Sequence, residues 1–219
     1  MDDITVSLYV LLGAALLAAA VFLLTRRAAK RREEALSAYC AQNMYRLTIL
    51  KEPESREIQI EGEDWLLKSS MRALQNSADT GASGWQRETQ WLSTRENPMR
   101  QACALQLSQG ATDLDRLPPW MREAALAAMR LWLGAGHEHL GSIRTAFCEG
   151  GRSCIVLETQ PHAADAALEP LLLSLQRYRG NLPLYLACAP TYIRLHLPDV
   201  AISTAFEAEQ LIDLVKTLQ

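Results

Sequence analysis

Hydrophobic and polar residues alternate along this chain with three different rhythms. The first is no alternation at all. From Ile4 to Leu24 there are 21 consecutive positions without a charge, a run that as a helix reaches about 31 Å, the thickness of a bilayer's hydrocarbon core. After it, Ala28, Ala29, Glu33, Glu34, Ala35 and Leu36 favour helix as far as about Asn43, so the pattern predicts a span that continues into a helical stalk. The second rhythm has a period of two: Tyr45, Leu47 and Ile49 alternate with Arg46 and Thr48, and beyond "KEPES" Ile58 and Ile60 alternate with Glu57, Gln59 and Glu61. This predicts a β-hairpin. Trp65 and Leu67 continue the alternation, Trp85, Thr89 and Trp91 share a strand face, and "CALQL" from Cys103 predicts a fifth strand. Between them "NSADTGASG", residues 76–84, has the composition of a hairpin tip.

The third rhythm is helical. Pro118 and Pro119 open a segment in which Leu126, Met129 and Leu133 recur on one side, with Arg122, Glu123 and Arg130 on the other, and Gly134 and Gly136 close it. Strands "SIRTAF" and "SCIVLET" flank "CEGGR". A leucine-striped helix then carries Leu168, Leu171, Leu172 and Leu175, with Pro170 in its first turn. Strands "LPLYLAC" and "TYIRLHL" lead to a closing helix with Leu211, Leu214, Val215 and Leu218 on one face. The order predicts an α+β fold: an N-terminal transmembrane helix, then a mainly antiparallel sheet with about three helices packed on one face. The corresponding segments are an anchor (1–25), a stalk (26–44), a β-rich segment (45–110) and a mixed segment (111–219) that forms one domain with it or a second.

Charge gives the run a direction. Asp2 and Asp3 precede it, whereas Arg26, Arg27, Lys30, Arg31 and Arg32 follow it. A cleaved signal peptide has the reverse arrangement. Cations beside a span resist translocation, which predicts a retained anchor in the inner membrane, its N-terminus outside, the C-terminal domain in the cytoplasm and these five cations at the membrane interface. Of 22 Lys plus Arg and 25 Asp plus Glu, five and two fall in the first 32 residues, leaving 17 against 23 and a net charge of −6 for the remainder. Such a domain lacks the basic footprint of a nucleic-acid binder. The five cysteines, Cys40, Cys103, Cys148, Cys154 and Cys188, are odd in number and scattered among apolar neighbours, as suits buried thiols in a reducing compartment; Cys148 and Cys154 would pair across a hairpin only if the domain lay outside.

Candidate chemistry is sparse. "HEHLG" places His137 and His139 two apart, with Cys148 and Cys154 as further soft ligands, but it follows glycines at a helix end and the chain has no H-E-x-x-H or C-x-x-C. A solvent-exposed helix C-terminal cap is the plainer expectation for His137. Gly81 and Gly84 lack a Walker lysine, and "GASGW" is not a nucleophile elbow. His162 and His196 have no acid or thiol partner nearby in sequence, and "YIRLHLP" puts His196 on a polar strand face. Trp65, Trp85 and Trp91 are expected to pack in the core or across strands rather than form a ligand platform.

The N-terminal span, the basic stalk, "SGWQRETQW", "SCIVLET" and "YIRLHLP" together resemble bacterial single-span membrane-anchored proteins of uncharacterised function. The resemblance covers most of the soluble chain; it implies a bacterial inner-membrane location and brings no catalytic residue. The expectation is a non-enzymatic protein-interaction or regulatory module that needs no cofactor, with the bilayer and another protein as partners and no nucleic acid. The alternative is a membrane-tethered hydrolase, zinc-dependent through His137 and His139.

Overall fold

The computed structural model describes residues 3–74, 84–93, 102–110, 113–133, 137, 139–148, 152–161, 183–189 and 191–216, together with single positions between 169 and 180. The expected tip at 76–84 lies almost wholly outside these residues, as do Gly134, Gly136, His162, Leu168, Leu171, Leu172 and Leu218.

Helix α1 (Asp3–Gln42) is unbroken from the apolar run through the stalk, and it is long and apolar enough to cross a membrane. Every residue from Leu12 to Arg32 is exposed, and the first buried positions are Leu36 and Cys40. Its end is a Schellman turn: Tyr45 N–H donates to Cys40 O at 2.8 Å and Met44 N–H to Ala41 O at 3.3 Å. Met44 occupies the left-handed position, with φ 58°, where glycine is usual.

Among the described residues nine strands follow: β1 (Arg46–Glu52), β2 (Ser55–Glu61), β3 (Trp65–Ala73), β4 (Trp85–Ser93), β5 (Cys103–Gln109), β6 (Ser142–Cys148), β7 (Arg152–Glu158), β8 (Leu184–Ala189) and β9 (Tyr192–Pro198). They form one sheet in the order β1-β2-β3-β4-β9-β8-β5-β7-β6, with antiparallel pairing between all neighbours. β1 to β4 make a meander whose register, Ile49 opposite Ile58 and Leu67 opposite Trp91, aligns the apolar positions read from the alternation. The last strand enters the middle of the sheet. β9 alternates half-buried and buried along its length, with Ile193, Leu195 and Leu197 inward, and joins the meander to the β8-β5-β7-β6 block.

One face of the sheet is covered by the end of α1, by Leu175 and by the closing helix α3 (Ala205–Lys216), whose Leu211, Ile212, Leu214 and Val215 are buried in the same core as Trp91, Leu105, Val156 and Leu186. α3 starts with a capping box: Glu207 N–H donates to Thr204 Oγ1 at 3.2 Å, and Thr204 N–H to the Glu207 carboxylate at 3.0 Å. Helix α2 (Pro119–Leu133) departs from the expected arrangement. It packs on the opposite face, where Met129 and Leu133 meet Ala104, Leu140, Leu157 and Ala187. The reason lies in β5, β7 and β8, whose outward positions are apolar as well (Ala104, Leu157, Ala187), so both faces of this half demand cover. Arg130 turns toward the protein rather than to solvent, with Nε and Nη2 donating to Leu140 O at 2.8 and 2.6 Å.

Candidate functional site

Among the described residues, the cover on α2's face of the sheet extends only over the half formed by β5, β7 and β8. Over β2, β3, β4 and β9 the outward positions are polar (Glu57, Gln59, Lys68, Ser70, Glu88, Gln90), with Leu66 and Leu92 paired across strands and 37% and 42% exposed. Where this open half meets α2, three rings gather. Trp132 of α2 lies 4.6 Å from Tyr185 of β8 and stacks on His196 of β9 at 6.0 Å with a 6° tilt. Arg194, two residues before His196 and therefore on the same face, sits 5.4 Å over the Trp132 ring and donates through Nη2 to Leu133 O at 3.1 Å. Gln90 faces His196 across the β4–β9 pair, and a cavity of about 140 Å³ is lined by Gln90, Trp132, Arg194 and His196.

The hydrogen bonding of this notch defines its chemistry. Trp132 Nε1 lies 3.4 Å from His196 Nδ1. Indole N–H can only donate, so Nδ1 accepts and the imidazole proton resides on Nε2. Burial pushes the His196 pKa below its ordinary value; Arg194 acts in the same direction and Glu88 against it, so the ring is neutral at pH 7. Two buried donors, His196 Nε2 and Arg194 Nε, then lack an acceptor among the described residues. Trp132 occupies the acceptor nitrogen of the ring, and among the described residues the cavity lining carries no hydroxyl, thiol or carboxylate. The notch can bind a hydrogen-bond acceptor, such as a carbonyl or carboxylate, against aromatic walls.

His137 and His139 are not brought to a common face. His137 is 2% exposed rather than a solvent-facing cap, and its Nε2 lies 2.9 Å from Tyr192 Oη, whereas His139 is exposed. The turn Leu140 N–H to His137 O at 3.1 Å, held from α2 by Arg130, folds the ring inward. Among the described residues no group of three or more His, Cys, Asp or Glu side chains converges as metal ligands would. Cys40, Cys103 and Cys188 are buried free thiols and Cys154 is buried, standing opposite Ala146 in the β6–β7 register. Trp91 is fully buried and Trp65 packs edge-on to Tyr45 at 5.0 Å, as expected, but Trp85 is 49% exposed. The five stalk cations Arg26, Arg27, Lys30, Arg31 and Arg32 are all exposed, Lys30 lying 3.7 Å from Glu34. Sequence reasoning placed His196 on a polar face but missed Arg194, which the alternation of "YIRLHLP" puts beside it, and Trp132, which nothing local signals. No protein-family model, curated protein or solved structure matches the chain.

Proposed function

We propose that the protein is a single-span protein of a bacterial inner membrane, N-terminus outside, whose cytoplasmic sheet domain is a non-enzymatic protein-interaction module. The observation that carries the interaction reading is the notch itself: two buried N–H donors without an acceptor beside an exposed Leu66–Leu92 ridge on an uncovered half-face. Unpaired buried donors cost free energy that a partner's acceptor recovers on binding. The partner is therefore a protein that lays an extended segment on β4 and β9, giving a backbone carbonyl to His196 and Arg194 and an aliphatic side chain to the ridge. α1 supports the anchored reading, because its apolar part is exposed along its described length and its stalk carries five cations.

A photo-crosslinking residue at Leu92 tests the module in native membranes. One discrete crosslinked protein is expected, lost when Arg194→Met or His196→Phe is added and absent when the crosslinker replaces Leu131, exposed on α2. Identical products from both positions, or products indifferent to the notch variants, would refute the assignment. Reporter fusions at the C-terminus test the orientation, with cytoplasmic activity expected.

A further inference from the structure

A second cavity, of about 220 Å³, opens on the helix-covered face, and its lining includes Arg56, Ser69, Met71, Arg87, Ile202 and Ser203. Arg56, Met71 and Arg87 form a single row across β2, β3 and β4, so the two arginines stand two strand spacings apart, about 10 Å, over the intervening methionine. The walls are fixed. Ser69 and Thr89 hydroxyls lie 3.0 Å apart, Thr89 Oγ1 donates to Val200 O at 2.9 Å, and Ile202 N–H donates to Ser69 Oγ at 2.8 Å, which pins the segment before α3. Arg56 is held by Glu33 of α1, Nη2 to Oε1 at 3.1 Å, but its Nε is buried without a partner among the described residues. Arg87 is exposed, with no ion pair among the described residues.

The place of this cavity along α1 indicates its occupant. Glu33 binds both Lys51 and Arg56, at 2.7 and 3.1 Å, which puts the β1–β2 turn at the end of the sheet toward the apolar run, while Tyr45 and Trp65 mark the far end. Glu33 is nine residues past Leu24, about 14 Å along a helix, just outside the headgroup layer. Trp85 pairs with Ala73, two steps beyond the Arg87–Met71 pair, and so reaches up to about 7 Å further in the strand direction. There Trp85 and Leu74 are each 49% exposed. Exposed Trp beside Arg at the level of the headgroups is the composition of a membrane-interface belt. The acids of the turn, Glu52 and Glu54, border a neighbouring depression that shares Arg56 with this cavity and is also lined by Glu57 and Arg72.

We propose that Arg56 and Arg87 take the phosphate of an anionic phospholipid from the leaflet that α1 crosses, with Trp85 seated among the headgroups. Guanidinium forks match phosphate oxygens in pairs, and the free Arg56 Nε supplies one of the donors. This rests on the spanning half of the proposed function and is independent of the notch.

The full chain in lipid nanodiscs provides the test. α1 contains no tryptophan, so emission reports the domain alone. Brominated phosphatidylglycerol is expected to quench tryptophan emission more than brominated phosphatidylcholine. Trp85→Phe should remove most of that quenching, and Arg87→Gln, at an exposed position, should raise the phosphatidylglycerol fraction needed for half-effect about fivefold. Quenching that is equal for both lipids or unchanged by Arg87→Gln overturns the proposal, as does abolition by excess inorganic phosphate, which would mark a site for a soluble anion. Failure of the chain to enter nanodiscs would overturn the span together with this site; entry without headgroup preference overturns the site alone.

Discussion

Glu33 of α1 accepts a hydrogen bond from Arg56 of β2 at 3.1 Å while also holding Lys51 of β1 at 2.7 Å. One carboxylate thus fastens the stalk to two strands, one turn before Leu36 enters the core. Because Glu33 and Arg56 are about three-quarters buried, Glu33→Gln is expected to cost about 1 kcal/mol. Leu36→Ala, at a fully buried site, should cost about 2–5 kcal/mol. Leu24→Ala, 64% exposed in the apolar run, should leave the domain's melting temperature in detergent unchanged. Equal effects of the Leu36 and Leu24 variants would mean that the stalk is not part of the core.

Met44 adopts φ 58° and is 93% exposed, so its side chain gains nothing while its Cβ strains a left-handed backbone. Met44→Gly should stabilise the domain by about 1 kcal/mol, seen as a rise in Tm of about 2–4 °C for a chain of this size. A fall in Tm would show that glycine's extra freedom in the unfolded chain outweighs the relieved strain.

Burial holds the His196 pKa below its usual value. The unfolded chain therefore takes up its proton first as pH falls below about 6.5, and the stability contributed by the neutral ring, complete above that value, is lost down to the folded pKa. Protonation would also set two N–H donors, from Trp132 and His196, against each other. Comparing wild type with His196→Gln by thermal melts at several pH values should show the wild type losing more stability on acidification. Parallel profiles would contradict the buried neutral tautomer.

Glu158 is fully buried and accepts from Arg144 Nε at 2.7 Å. Glu158→Ala takes from Arg144, whose side chain is 17% exposed, its buried ion-pair partner, so it should cost about 3 kcal/mol. The double variant Arg144→Met with Glu158→Leu should regain most of it, as read from urea midpoints. A milder single variant than double variant would show that the pair itself is dispensable.

Much of the architecture was legible because side-chain period reports local burial. Ile58 and Ile60 are inward and Glu57 and Gln59 outward, as their alternation predicts, and Leu126, Met129 and Leu133 are the face that α2 buries. What the pattern could not convey is pairing at long range. β9 lies between β4 and β8, and Trp132 meets His196 across 64 positions of chain, so the notch exists only once the sheet has closed. The same holds for His137. Its glycine-rich approach suggested a solvent-exposed helix C-terminal cap, yet Tyr192 and the Arg130 contact with Leu140 O draw it inward. Placing all helices on one face failed because small outward residues such as Ala104 and Ala187 look neutral in sequence but form a floor for α2.

Cys103 and Cys188 are opposite each other on β5 and β8, and the hydrogen bond that the Cys188 S–H gives to Cys103, with burial, raises the Cys188 thiol well above its ordinary pKa. Both should resist maleimide at neutral pH in the folded protein, as should Cys40 and Cys154, and all four should label in denaturant. Mass spectrometry of the labelled chain decides; rapid native labelling of Cys188 would contradict its burial.

An uninterrupted α1 also makes stalk length a compass setting. Each residue added between Leu24 and Leu36 would swing the sheet by about 100° around the helix axis and lift it about 1.5 Å. The bearing of the open half-face around the apolar run is thus encoded by a residue count, and in the proposed anchored arrangement a single deletion in an otherwise permissive segment would aim it away from a neighbour that itself cannot turn.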